Sequence, residues 1–204
     1  MHIFLSHLPN DPLGDFWKQA FSQCGDVEIV SGNILDITAS AYISPANSFG
    51  FMNGGIDQVY TDHFGADLEK RVRAEIASRP MQELLVGEAI VVPTENVDVP
   101  WMIVAPTMRV PHRIDNTINT YLCMKAILLA AKAHPAIESI AVPGLGTGTG
   151  FMPPLHAAAQ MRMAYDEIIL GFQKPVESLS REMARQHMMN PDSIKSQFSG
   201  VSHE

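Results

Sequence analysis

The sequence predicts a layered α/β domain with a mostly parallel central sheet, and three observations support this fold class. Short apolar runs, typical of strands, alternate along the chain with segments whose apolar residues recur at helical spacing. Two glycine-rich loops each follow a predicted strand and precede a predicted helix, as connections in α/β domains do. The 204 residues, 46% of them hydrophobic, suffice for one domain with a substantial core, or for one domain and an appendage.

The N-terminal half of the chain supplies three of the predicted strands. HIFLS is short and apolar, VEIVSG alternates and then meets a glycine, and SAYIS ends at Pro45. Between the first two, GDFWKQAFSQC carries its apolar residues at helical spacing. We therefore predict strands at residues 2–6, 27–32 and 40–44 and helices at 14–24 and 56–77, the second helix being interrupted near Gly65.

The C-terminal half repeats the alternation and ends in a polar tail. EAIVVP, WMIVAP and SIAVP are apolar runs closed by proline. The clearest helix follows the second of these runs, and its apolar stripe begins at Ile114. We predict strands at 88–93, 101–106 and 139–143, helices at 114–133 and 155–170, and a domain at 1–170 followed by a helical or partly disordered tail at 171–204.

The net charge of −8 restricts the partners that the surface can bind. Broad nucleic-acid binding needs a basic face that replaces counterions, so we expect no nucleic-acid partner. An anionic ligand would have to be held mostly by backbone amides and helix ends. No apolar run reaches membrane-spanning length and no signal peptide is recognised, so the sequence predicts no membrane partner and a cytoplasmic location.

Cysteine and histidine usage predicts neither a disulfide nor a metal site. Cys24 and Cys123 are isolated thiols without a partner motif, which is typical of reduced packing residues. Four histidines lack metal-ligand spacing and are more typical of scattered surface or core positions. They are His63, His112, His134 and His156.

Two loops contain more glycine than a strand-to-helix turn needs. They are SPANSFGFMNGGID at residues 44–57 and GLGTGTGFMPP at residues 144–154. Each ends at a predicted helix N-terminus, where exposed N–H groups and a charge of about +0.5 attract anions. The second loop lacks the Lys and Ser/Thr of a Walker motif. The two loops could close over one diphosphate, because glycine allows close backbone approach; tight turns alone would explain either loop taken singly.

Four segments together resemble the macro domain, an ADP-ribose-binding module. They are SGNI at 31–34, the loop at 44–57, VGEAIVVPT at 86–94 and PGLGTGTGFMP at 143–153, and the resemblance extends over residues 27–170. It implies a three-layer α/β/α sandwich with a mixed, mostly parallel central sheet. It also implies that the partner is ADP-ribose or an ADP-ribosylated small molecule or protein, and that no cofactor is needed.

The resemblance assigns roles to the first half of the site. Asn33, with Ile34 alongside, stands where the family has an aspartate that accepts a hydrogen bond from the adenine amino group, and Asp36 is a possible substitute. The first glycine loop, continued by Asp57, would hold the distal end of the ligand. Its predicted ligand-binding residues are Asn47, for the distal ribose hydroxyls, and the amides of Gly54, Gly55 and Ile56.

The second glycine loop would hold the diphosphate from the other side. Its predicted ligand-binding residues are Gly146, Thr147, Gly148, Thr149, Gly150 and Phe151. Family hydrolases often place an aromatic residue over the distal ribose at the position that is Gly150 here. Either the loop shifts so that Phe151 covers the ribose, or that cover is absent.

Three functions are compatible with these residues. In a hydrolase, Asn47 and Asp57 would be catalytic, and Asp57 would act on a water that attacks C1″ of the distal ribose. A non-catalytic reader would use the same pocket without turnover. A structural or interaction protein would keep the fold without the ligand; Asp57 would then only balance a helix dipole, and Asn47 would only cap a turn.

Overall fold

The computed structural model describes residues 1–172 and 176–189, and these form a six-stranded sheet with helices on both faces. The strands are β1 (His2–His7), β2 (Val27–Ser31), β3 (Ala41–Ser44), β4 (Ile90–Pro93), β5 (Trp101–Val104) and β6 (Ser139–Val142). The helices are α1 (Leu13–Ala20), α2 (Gly55–Phe64), α3 (Asp67–Ala77), α4 (Asn119–Ala133), α5 (Pro154–Ile168) and α6 (Leu179–Met189).

The sheet is mixed and mostly parallel, which confirms the predicted fold class. The strand order is β2-β1-β6-β3-β5-β4, and every neighbouring pair is parallel except β4 and β5. Strands β4 and β5 are joined by residues 94–100 without a crossover helix, so they pair in the antiparallel sense. The parallel pairs bring the carboxyl ends of β2, β1, β6, β3 and β5 to one edge.

Two apolar cores, one on each face of the sheet, hold the three layers together. One contains Trp17 of α1, Ile127 of α4 and Met161 of α5. The other contains residues of α2 and α3, among them Tyr60 and Val72. Because both faces are covered, the central strands read as nearly continuous apolar runs.

The predicted boundaries hold to within a few residues except at the start of α4. The break predicted near Gly65 is confirmed: α2 ends there, and Gly65 has a φ of +88°. Helix α4 begins at Asn119, so the prediction that the helix starts at Ile114 is wrong. Ile114 is buried, but its N–H donates to the Gly150 carbonyl at 2.8 Å. Its apolar character serves packing against the second glycine loop rather than a helix face.

Within the predicted tail, residues 179–189 form helix α6. Met189 at its end is buried in the first core. Arg185 of α6 pairs with the buried carboxylate of Glu167, which Lys125 also contacts at 2.9 Å. The rest of the predicted tail includes residues 173–175 and 190–204, which lie outside the described residues, and the domain boundary at residue 170 stays a prediction.

The cysteines and the apolar helices are the features of composition that the fold now locates. Cys24 and Cys123 are both buried free thiols, as expected of packing residues. No helix of the described ranges has the length and apolar character that crossing a membrane requires.

Candidate functional site

A cavity of about 610 Å³ opens at the carboxyl edge of the parallel strands. Its walls come from four connections: the β1–α1 loop, the turn after β2, the loop from β3 to α2 and the loop after β6. Residues of the β5–α4 connection, Thr107, Met108 and Pro111, complete it. The cavity therefore lies where ligands bind in open α/β sheets.

The structure brings together all but one of the residues predicted for the site. The lining includes Asn33, Ile34, Asn47, Gly54, Gly55, Ile56, Asp57, Gly146, Thr147, Gly148, Thr149 and Gly150. Phe151 lies outside this lining, and its side chain is more than half exposed. Its φ is +52°, and its ring packs under the Arg113 guanidinium with 4.7 Å from that carbon to the ring centroid. The ligand contacts of all these residues stay predictions.

The N-terminus of α2 presents backbone donors to the cavity. The N-cap residue is Gly54, and no side chain caps the helix there. The first-turn amides of Gly55, Ile56 and Asp57 have no acceptor within the helix, because the four N-terminal N–H groups of any helix lack one. A Cβ added at Gly54 or at Gly55 would meet no atom within 4 Å. This helix end can therefore hold an anion through its amides and its dipole.

Asp57 is a buried carboxyl group in the cavity wall. The residue is 7% exposed, and the Ser44 hydroxyl donates to Asp57 Oδ1 at 2.6 Å. Burial raises the pKa of Asp57 to about 6; the Ser44 hydrogen bond opposes this shift, and the negative charge of Glu69 adds to it. Asp57 thus changes its protonation state close to neutral pH, as a general base or acid must.

The Asn47 side chain makes most of its possible hydrogen bonds within the first glycine loop. Its Nδ2 donates to the Phe51 carbonyl at 2.8 Å. Its Oδ1 accepts from the N–H groups of Phe49, at 3.1 Å, and Phe51, at 3.4 Å. This is the turn-capping role that the sequence left open as an alternative. Within the described residues, one N–H of the Asn47 amide is left for a ligand.

The second glycine loop packs closely against the Ile114 side chain. Gly146 has a φ of +73°, and a Cβ there would lie 2.6 Å from Ile114 Cδ1. A Cβ at Gly150 would lie 2.5 Å from the Gly146 carbonyl oxygen. Neither position accepts a side chain without displacing the loop. Gly148, by contrast, is exposed, and a Cβ there would meet no atom within 4 Å.

The second loop leads into helix α5 as predicted, but the N-terminus of that helix does not line the cavity. Helix α5 begins at Pro154, its N-cap is Pro153, and neither residue lines the cavity. Proline has no N–H, so the first free amides of α5 belong to Leu155 and His156, which also lie outside the lining. The second loop itself can offer its amides and the hydroxyls of Thr147 and Thr149 to a ligand.

Asn33 caps a short turn at the opposite end of the cavity. Its Oδ1 accepts from the Leu35 N–H at 3.1 Å, at the start of the 3₁₀ turn Ile34–Asp36. The Asn33 side chain is exposed at the cavity and has a second lone pair on that oxygen for a ligand. Asp36 does not line the cavity, so it is badly placed to substitute for Asn33.

Sequence reasoning missed the β1–α1 loop and Phe51. His7, Leu8 and Asp11 line the cavity because β1 lies between β2 and β6 in the sheet. The His7 ring packs over Gly14, where a Cβ would lie 2.3 Å from His7 Nε2. The family resemblance begins only at residue 27, so it gave no signal for this loop.

The cavity contains no strong cation. Across residues 1–172 and 176–189, no lysine or arginine lines it, whereas Asp11 and Asp57 do. Over the same residues, no group of three or more histidine, cysteine, aspartate or glutamate side chains is arranged to hold a metal ion. An anionic ligand would thus depend on backbone amides, as the overall charge suggested.

Comparison with known proteins identifies the family. The Macro domain profile matches residues 43–161, more than half of the chain. An uncharacterized protein of Aquifex aeolicus is 30% identical over 136 residues, which are 67% of this chain and 78% of that protein. The chain belongs to the macro domain family.

Solved macrodomains share the fold. The macrodomain of Mycobacterium tuberculosis DarG superposes with a TM-score of 0.57 at 21% identity, over 68% of this chain and 88% of that one. The Oceanobacillus iheyensis macrodomain with ADP gives a TM-score of 0.57 at 19% identity, over 83% and 90%. A point variant of the latter macrodomain was solved with ADPR. At these identities the likeness concerns the fold.

Proposed function

We propose that this macro domain binds ADP-ribose or an ADP-ribose derivative. We further propose that it removes ADP-ribosyl groups from modified targets by hydrolysis, or hydrolyses O-acetyl-ADP-ribose. The observation that carries the proposal is that both glycine loops, Asn33 and the buried carboxyl of Asp57 line one cavity. Its volume of about 610 Å³ suits a dinucleotide-sized ligand. The Oceanobacillus iheyensis macrodomain, which shares this fold, has been solved with ADP.

In the proposed complex the ligand spans the cavity from Asn33 to Asp57. Adenine lies next to Asn33 and Ile34, and the diphosphate lies between the α2 N-terminus and residues 146–150. The distal ribose then reaches Asn47 and Asp57. Backbone amides suit this ligand because they donate to phosphate without lysine or arginine, which the lining lacks.

The proposed reaction uses the Asp57 carboxylate as a general base. A water next to Asp57 gives it a proton and attacks C1″ of the distal ribose. The bond from C1″ to the target breaks, and its electron pair leaves with the target atom, which then takes a proton. With a pKa of about 6, Asp57 is mostly ionised at pH 7 and above. General-base catalysis of this kind contributes about 10²–10⁴ in rate.

We expect ADP-ribose to bind more tightly than ADP, and ADP more tightly than AMP. Only ADP-ribose has the distal ribose that Asn47 and the first loop are proposed to hold. A single hydrogen bond and its apolar contacts are worth about tenfold in affinity. Isothermal titration calorimetry with the three nucleotides measures the difference. Equal affinities for ADP-ribose and ADP would contradict the proposed contact between the distal ribose and the first loop.

We expect Asn33→Ala to weaken ADP-ribose binding by about 1–3 kcal/mol, because a buried adenine amine would lose its acceptor. Asn33→Asp is the matched variant: it keeps an oxygen to accept the Leu35 N–H, so the 3₁₀ turn stays capped. Its charged acceptor should bind at least as tightly as wild type. Unchanged affinity in Asn33→Ala would exclude Asn33 from adenine recognition.

The alternative function is a reader that binds ADP-ribose without turnover. Asn47 favours it, because three hydrogen bonds within the loop leave that side chain little capacity to act on a substrate. Incubation with an ADP-ribosylated protein and with O-acetyl-ADP-ribose decides between the two functions. Tight binding without product identifies a reader. Absence of binding would leave a structural or interaction protein.

A further inference from the structure

Phe51 is a large aromatic side chain at the cavity wall that takes no part in the proposed reaction. It is 44% exposed, whereas its neighbour Met52 is buried. It lines the cavity together with Asn47 and Asp57. A solvent-exposed ring inside a concave site is typical of a surface that a ligand covers.

The first glycine loop holds the backbone of Phe51 in place from two sides. Asn47 bonds both its carbonyl and its N–H. Gly50, with a φ of +73°, rests directly on α3: a Cβ there would lie 2.8 Å from Val72 Cγ1 and 2.9 Å from Ile76 Cδ1. The position from which the Phe51 side chain projects is therefore set by contacts that do not depend on a ligand.

Arg73 of α3 packs over one face of the ring. Its guanidinium carbon lies 4.3 Å from the Phe51 ring centroid, which is cation–π geometry. Because the guanidinium covers one face of the ring, the surface that Phe51 contributes to the cavity is the remainder of the ring. With its backbone held and one face packed, the ring is a preorganised apolar wall. Binding against it therefore loses little further side-chain entropy.

We infer that Phe51 is the wall against which the distal ribose packs, and that it makes the site select ADP-ribose over ADP. This role rests on the proposed function. Asn47, the proposed partner of that ribose, lines the same cavity and donates to the Phe51 backbone carbonyl, so the ring belongs to a residue held directly against the proposed ribose site. ADP lacks the distal ribose and cannot make the contact.

Paired titrations of wild type and three variants with ADP-ribose and with ADP test the inference. Phe51→Ala should lower ADP-ribose affinity by about 3- to 10-fold, the range of an aromatic contact, and change ADP affinity less than about twofold. Phe51→Tyr keeps the ring and should restore the ratio of the two affinities. Phe151→Ala tests the alternative ribose cover, a ring that is also paired with an arginine but lies outside the lining, and should change the ratio less than Phe51→Ala does.

Two outcomes would overturn the inference while leaving the proposed function standing. Phe51→Ala could lower both affinities equally, which would indicate a loop distortion. Phe151→Ala could lower the ratio in its place, which would make Phe151 the cover. A wild-type protein that binds neither nucleotide would overturn the proposed function, and this inference with it.

Discussion

Asp57→Asn should lower the turnover of an ADP-ribosylated substrate at least about tenfold and leave ADP-ribose affinity within a few-fold of wild type. The amide keeps the shape of the side chain and can still accept the hydrogen bond from Ser44. It cannot take a proton from water, so the loss falls on the transition state. Single-turnover rates and calorimetric affinities of both proteins measure the two effects separately.

The pH dependence of wild type provides an independent check on the same residue. The general base must be ionised, so turnover should rise with pH through about 6, the pKa that burial gives Asp57. Asp57→Asn should lose this dependence together with the rate. Full activity in the variant, or a rate independent of pH between about 5 and 7, would contradict a general-base role.

The free energy of unfolding distinguishes a general-base Asp57 with a raised pKa from a carboxylate that only stabilises the α2 dipole. The pKa of Asp57 rises from 3.8 to about 6 on folding, so the folded state binds more protons in that range and loses stability as pH rises through it. Above pH 6 the buried charge costs the folded protein about 1–3 kcal/mol, which Asp57→Asn should regain. Denaturant unfolding at pH 7.5 and pH 4 should show this gain only at the higher pH. A favourable dipole interaction would instead make the variant less stable, by about 0.3–1 kcal/mol.

Gly54→Val should reduce ADP-ribose affinity at least about 100-fold, or 2.7 kcal/mol, while the protein still folds. Gly54 has a φ of −166°, an extended conformation that valine adopts readily, and its Cβ would meet no protein atom within 4 Å. The added side chain would instead occupy the cavity beside the first-turn amides. Valine at an N-cap costs the helix about 1 kcal/mol, so the effect on unfolding should stay small.

Gly25→Val is the matched control for this substitution. Gly25 is also surrounded by open space, but it lies between α1 and β2, away from the cavity lining. Calorimetry and thermal unfolding of the two variants distinguish a blocked site from a damaged fold. Wild-type ADP-ribose affinity in Gly54→Val would mean that the ligand does not lie against the α2 N-terminus.

Much of the fold and of the site is determined by local features of the sequence. The alternation of apolar runs with helical stripes is readable within windows of a dozen residues, and it predicted the six strands, the helices α1 to α5 and the break at Gly65. The glycine loops are equally local, because their conformations need residues that tolerate positive φ and close approach. The resemblance to the macro domain singled out Asp57, the carboxyl group that the structure places in the cavity wall.

Only the tertiary structure decided which side chains share the cavity and how they behave there. The order of strands in a sheet is a long-range property, so nothing in the sequence placed the β1–α1 loop beside Asn33. The orientation of Phe51 depends on contacts with α3, and the start of α4 depends on the packing of Ile114 against Gly146 and Gly150. The raised pKa of Asp57 likewise comes from burial, which local sequence does not specify and which depends on how distant segments close around the group.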